Sequence, residues 1–166
     1  RTFAVQIAKS YGAQVTGVCS TRNLNMVRSI GADHVVDYTR DDFTRSEQRY
    51  DLIYDAVGNR SVSDYLRALN PGGRCVIAGF HGVARLLEHF ALGPLRSKLG
   101  NKNVGMMGVA KINQPDLNVL KELMEAGKVR PVIDRCYTLE QTADAIRYLE
   151  RGHARGKVVV IIEHDT

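Results

Sequence analysis

The chain has 166 residues, 44% apolar and 25% charged, which is a globular composition and excludes a disordered chain; no run of 18 apolar residues offers a membrane span. Three scattered cysteines, Cys19, Cys75 and Cys136, form no CxxC pair and are odd in number, which argues against a disulfide scaffold or a structural zinc site. The net charge of +5 is modest and unclustered, so the basic residues read as solvated surface, with no nucleic-acid partner and no membrane partner expected. From Phe3 to Tyr11 the apolar positions Phe3, Ala4, Ile7, Ala8 and Tyr11 fall at helical spacing, and Gly12 stops the helix. This helix opens directly from Arg1-Thr2, with no signal peptide or polar lead-in, and predicts that something precedes it.

Gln14 to Cys19 reads as a strand, Leu24, Val27 and Ile30 as the apolar stripe of a helix closed by Gly31, and His34 to Tyr38 as a strand. Residues 39–49 are polar and predict a short surface helix. Tyr50 to Val57 predicts a buried strand ending at Gly58, and Val62, Tyr65, Leu66 and Leu69 a helix broken by the turn Pro71-Gly72-Gly73. Arg74 to Phe80 is the next expected strand. Residues 82–100 are helical in character but interrupted by Gly93-Pro94. Asn103 to Ala110 predicts a strand dotted with glycine, and Pro115 to Ala126 a helix with proline at its entry and Gly127 at its exit. Strand 132–137, helix 139–151 and strand Lys157 to Ile162 complete the chain. Near-continuous apolar strands alternating with amphipathic helices define an α/β fold, a doubly wound parallel sheet covered on both faces.

Such sheets bind ligands outside the carboxyl ends of their strands. The loops at those ends are Ser20-Thr21-Arg22, Tyr38-Thr39, Asp55-Ala56-Val57-Gly58, Gly79-Phe80-His81 and Val109-Ala110-Lys111. Small, polar and glycine residues in a row suit a flat, extended, phosphorylated ligand. Asp55 is placed to orient a backbone loop rather than to act as an acid.

The segments FAVQIAKSYGAQVTGVCSTRN, VRSIGADHVVDY, YDLIYDAVG, LNPGGRCVIAGF and GKVVVI, in this order, resemble the medium-chain dehydrogenase/reductase superfamily, and within it the zinc-less quinone-oxidoreductase-like ("zinc-binding dehydrogenase") branch. The resemblance covers essentially the whole chain and implies a Rossmann-type NAD(P)-binding domain. In that family a central strand and a glycine-rich turn precede the helix that begins here at Thr2; no GxGxxG occurs in this sequence. The resemblance therefore implies a cofactor domain over 1–130, lacking its first central strand and glycine-rich turn, and a segment 131–166 that returns to an absent N-terminal catalytic domain.

Cofactor choice follows from the end of the strand at 14–19. Sheets of this type that prefer NAD place a carboxylate there, whereas this strand ends in Ser20, Thr21 and Arg22. Two hydroxyls, a guanidinium and the N-terminus of the next helix suit a 2′-phosphate, so NADP is favoured. The plain alternative makes Ser20 and Thr21 a helix N-cap and Arg22 a solvated charge. By the resemblance, Tyr38 lies near the adenosine phosphate-ribose, Val57 and Gly58 line the adenosine-ribose side, Gly79, Phe80 and Val109 line the nicotinamide side, and Lys157 is the basic residue that reaches cofactor phosphate.

No tyrosine is followed four residues later by lysine, and neither HExxH nor GxSxG occurs. His34, His81, His89, His153 and His164 lack ligand spacing, so no metal is expected and no catalytic residue is assigned. The resemblance implies hydride transfer from NADPH to a quinone, enone or other activated carbonyl compound, with the protein holding cofactor and substrate in attack geometry. The alternatives are the cofactor domain of a zinc-dependent alcohol dehydrogenase and a non-catalytic nucleotide-binding fragment. A methyltransferase would need a ribose-binding carboxylate at the same strand end. A cytoplasmic location, a small-molecule substrate and a homodimer joined through the 103–110 edge strand complete the expectations.

Overall fold

The computed structural model describes residues 2–79, 82, 87, 101–108, 111–152 and 154–162. In chain order these form α1 (Thr2–Ser10), β1 (Thr16–Cys19), α2 (Leu24–Ser29), β2 (His34–Asp37), β3 (Tyr50–Asp55), α3 (Val62–Ala68), β4 (Leu69–Ile77), β5 (Asn103–Met106), α4 (Gln114–Glu125), β6 (Ile133–Thr138), α5 (Thr142–Glu150) and β7 (Lys157–Ile161). Strand β1 pairs with β2, strands β3-β4-β5 form a parallel sheet, and β6 pairs in parallel with β7. Parallel neighbours need a crossover; α3 supplies it between β3 and β4, and α5 between β6 and β7. This is the α/β architecture with parallel sheets that the alternating pattern predicts.

The chain divides into two compact units, one within 1–17, 22–35 and 117–166 and the other within 18–21 and 36–116. The segment after residue 131, which the resemblance assigns to an absent domain, groups here with α1 and α2.

In the second unit, α3 starts where Ser61 and Asp64 cap it reciprocally: Asp64 N–H donates to Ser61 Oγ and Ser61 N–H to Asp64 Oδ2, both at 3.2 Å. Its apolar stripe Val62, Tyr65 and Ala68 is fully buried and meets Ile53 of β3, Cys75 and Ile77 of β4 and Val104 of β5. Cys75 and Ile77 are two residues apart, so both point to the same face of the sheet. Truncating Ile77 there costs about 2–5 kcal/mol.

Three expectations need adjusting. Pro71-Gly72-Gly73 does turn, with Gly72 at φ +80°, but inside β4: Tyr50 pairs with Leu69 while Leu52 pairs with Arg74. Residues 70–73 therefore bulge from the ladder, which resumes beyond them. A side chain on Gly73 would sit 2.9 Å from the carbonyl oxygens of Tyr50 and Asn70, so the bulge needs glycine there. The helix expected over 39–49 shrinks to one 3-10 turn, Phe43–Arg45, fixed by Asp42, which accepts from Thr44 N–H at 3.0 Å and its hydroxyl at 2.8 Å. That polar run has no apolar stripe to bury. Strand β5 ends at Met106, short of the expected Ala110. The interrupted helix expected over 82–100 falls almost entirely outside the described residues.

In the first unit the buried side chain of Gln6 is satisfied on both sides: its Nε2 donates to Arg130 C=O at 2.9 Å and Thr2 C=O at 3.2 Å, and its Oε1 accepts from Arg130 N–H at 2.8 Å. Asp33 ties β1 to α1, accepting from Val15 N–H at 2.7 Å and from Lys9 Nζ at 2.9 Å.

Candidate cofactor site

The loops after β1 and β2 are held together by their own polar groups. Tyr38 N–H donates to Cys19 C=O at 3.0 Å, which aligns the two strand ends. The Thr21 hydroxyl donates to Asp37 Oδ2 and lies 3.2 Å from the Thr39 hydroxyl. Asp37 Oδ1 accepts from Thr39 N–H at 3.0 Å and from its hydroxyl at 2.7 Å. Asp37 is only 7% exposed, yet the Thr21 hydroxyl above all, then Thr39, hold its carboxyl below the usual range against the cost of burial.

In this structure the Thr21 hydroxyl proton is directed at the Asp37 carboxylate. No carboxylate follows β1 in sequence, and the one at this place comes from the next strand. The signal for it was available: Asp37 followed two residues later by Thr39 is the pattern of an aspartate closing a local turn on its own backbone. Ser20 is partly buried and the Tyr38 side chain, 55% exposed, lies just past the end of β2.

A second loop follows β3. Asp55 Oδ1 accepts from Val57 N–H at 2.7 Å and Gly58 N–H at 3.0 Å, while its Oδ2 accepts the Tyr65 hydroxyl at 2.6 Å. Asp55 thus orients the loop. The N–H groups of Val57 and Gly58 turn inward to that carboxylate and are spent on it. Gly58 has φ +62° and lies directly against the Gly79 carbonyl; a Cβ on Gly79 would in turn be 2.7 Å from the Ala56 carbonyl. The loops after β3 and β4 therefore touch backbone to backbone through Gly58 and Gly79. Burial first, then Asp55, pushes the Tyr65 hydroxyl far above its ordinary range, and burial pushes the Cys75 thiol up to about 12, so both stay protonated at neutral pH. Phe80 and Val109 lie outside the described residues.

A cationic turn lies in the first unit. Thr21–Asn23 is a 3-10 turn, and Asn23, rather than Ser20 or Thr21, is the N-cap of α2, without a side-chain cap bond. Arg155 docks on this turn: one Nη donates to Arg22 C=O at 2.7 Å and its Nε donates to Asn23 Oδ1 at 3.1 Å. Arg22 and Arg155 are both exposed. The Arg155 guanidinium is thus anchored on the turn that bears Arg22. Lys157 opens β7 with its N–H on Val132 C=O at 2.7 Å, and its Nζ lies 5.2 Å over the Phe3 ring. Arg155 is the residue that sequence reasoning passed over; its side chain crosses 132 positions of sequence to reach Asn23, which spacing cannot reveal.

Among the described residues, no group of three or more His, Cys, Asp or Glu is arranged to hold a metal ion, and no helix is long and apolar enough to cross a membrane.

A parallel α/β chain with its polar loops at strand ends belongs to the class of nucleotide-binding folds. Residues 30–160 match the zinc-binding dehydrogenase family, and the chain belongs to that family. It is 34% identical over 180 residues to the mitochondrial NAD(P)H oxidoreductase RTN4IP1 of Danio rerio, covering 99% of this chain and 46% of that protein. It is 34% identical over 163 residues to the chloroplastic NADPH-dependent alkenal/one oxidoreductase of Arabidopsis thaliana, covering 96% of this chain and 37% of that one. The fold superposes on a quinone oxidoreductase from Coxiella burnetii with TM-score 0.75 and 24% identity, over 97% of this chain and 49% of the other. The chain spans less than half the length of these relatives. The two curated relatives are organellar by name, which lends no support to the expected cytoplasmic location.

Proposed function

We propose that the chain is the cofactor-binding half of an oxidoreductase that uses NADPH to reduce an activated carbon–carbon double bond or carbonyl. The observation that carries the cofactor choice is Arg155 docked on the turn that bears Arg22. Arg22 and Arg155 would hold the 2′-phosphate that distinguishes NADPH from NADH, and Tyr38 would lie along the adenosine. Asp55 would fix the loop of Val57 and Gly58 against Gly79 so that their flat backbone surface receives the cofactor. Phe80, Val109, Ser20 and Lys157 remain part of the proposed cofactor-binding set. When bound, NADPH supplies the hydride, and a solvent proton completes the reduction. The names of the relatives, an alkenal/one oxidoreductase and NAD(P)H oxidoreductases, support this substrate class. A homodimer paired through β5 belongs to the same proposal, since β5 is one of the two outer strands of its sheet among the described residues.

The test is a fluorescence titration of NADPH and NADH. Replacing Arg22 or Arg155 by Ala should weaken NADPH binding about tenfold each, the loss of one charge-assisted contact, and leave NADH binding within about twofold. Equal losses for both cofactors would refute the 2′-phosphate assignment.

A further inference from the structure

Strand β6 and helix α5 together build a second cationic feature. Arg135 and Tyr137, two apart on β6, share one face of the strand. Asp144, Arg147, Tyr148 and Arg151 follow at i, i+3, i+4 and i+7, one face of α5 and its C-cap. These six side chains line one cleft of about 270 Å³. The volume is small for a dinucleotide but holds a compact ligand.

The cleft has a fixed frame. The Tyr148 hydroxyl donates to Asp134 Oδ2 at 2.7 Å, and that carboxylate is fastened in turn by Arg155 N–H at 2.9 Å. The Tyr148 ring so held is the platform for Arg135, whose guanidinium carbon lies 4.1 Å from the ring centroid. Stacking of this kind leaves the in-plane N–H edges of a guanidinium for acceptors, and one of these here is the Tyr137 hydroxyl. Arg147 pairs with Asp144 at 2.7 Å, but both side chains are about two-thirds exposed (66% and 64%), so the pair is weak and can be recruited. Arg151 has no carboxylate partner among the described residues. Three guanidiniums therefore stand against two carboxylates, Asp144 in the cleft and Asp134 behind Tyr148, which leaves the cleft with a net positive charge.

We propose that this cleft binds a small phosphomonoester dianion. The net positive charge selects an anion, and the three terminal oxygens of a phosphomonoester suit a ring of forked donors better than a single carboxylate does. Tyr137 gives an aromatic wall for the organic part of the ester.

Seven tyrosines share the intrinsic fluorescence of the chain, so binding is read by isothermal titration calorimetry and assigned to the cleft by the variants. Inorganic phosphate and phenyl phosphate are titrated into the full chain at constant ionic strength and pH 8. Saturable binding is expected, tighter for phenyl phosphate. The double variant Arg147→Gln with Arg151→Gln should lose about tenfold or more in affinity for both probes, and Asp144→Asn should gain about threefold. Circular dichroism melts of each variant show whether the fold is retained. Unchanged affinity in the double variant would place the anion elsewhere and overturn the proposal. So would the absence of saturable binding, or binding only to vesicles containing phosphatidic acid.

Discussion

Asp55 connects the buried core to the proposed ligand surface through single hydrogen bonds. One oxygen takes the hydroxyl of Tyr65, which is fully buried, and the other takes two loop N–H groups. Asp55→Ala leaves these groups without that acceptor and should cost about 3 kcal/mol, whereas Tyr65→Phe removes one partner only and should cost about 1.5 kcal/mol. Urea unfolding measures both; equal costs would mean that the loop bonds contribute nothing. Asp55 at a strand end before a small loop was legible as a loop-orienting residue, because an aspartate two or three residues before open N–H groups has few other local options. Asp37 was legible as closing a local turn with Thr39, but neither its bond to Thr21 nor the docking of Arg155 was legible. These partners, Thr21 and the Arg22–Asn23 turn, are distant in sequence, and pairings of that kind depend on how the elements meet.

At the scale of elements, the positions and types of most strands and helices follow from apolar spacing, which directly reflects which face is buried. Ends and interruptions followed less well. Pro71-Gly72-Gly73 is strong turn chemistry, yet the backbone pairs again on either side of it, since the β3 partner offers hydrogen bonds before and after. The polar stretch at 39–49 kept only one 3-10 turn because Asp42 satisfies local N–H groups without a helix. The contact between Gly58 and Gly79 is the element-scale feature on which the proposed ligand surface rests. Gly58→Ala puts a methyl group into the Gly79 carbonyl at positive φ, and should cost at least about 2 kcal/mol. It should also weaken NADPH binding beyond what the stability loss explains. A thermal melt and a cofactor titration of the same variant separate the two effects, and wild-type values in both would show that the loops tolerate a wider spacing.

Acid stability belongs to the whole molecule, because the carboxylates that govern it are spread over both units. Val15 N–H foremost, with Lys9, lowers Asp33; the Thr21 hydroxyl lowers Asp37; the Tyr148 hydroxyl lowers Asp134. For Asp64 burial is the largest influence and opposes ionisation, but the Ser61 hydroxyl and N–H outweigh it. A carboxyl that is more acidic folded than unfolded stabilises the fold fully above the unfolded value, about 4, and loses that contribution as pH falls through the lower folded value. The contribution of these carboxylates should therefore be constant between about pH 5 and 7, with the melting temperature declining below about pH 4. A melting temperature that rises on acidification would contradict the assigned pairings.

The fold class and family were legible because five segments in a fixed order carry them, whereas substrate chemistry was not, since substrate recognition in the resembled family lies in its catalytic domain. The central claim is that Arg22 and Arg155 make this an NADPH-binding half. Its most direct test is the dissociation constant of NADPH relative to NADH in a full-length protein carrying this chain, before and after the double substitution Arg22→Ala with Arg155→Ala. The account predicts NADPH bound at least about tenfold tighter than NADH in the native sequence, with the difference abolished in the double variant. NADH bound as tightly as NADPH in the native sequence, or a preference that survives the double variant, would contradict it.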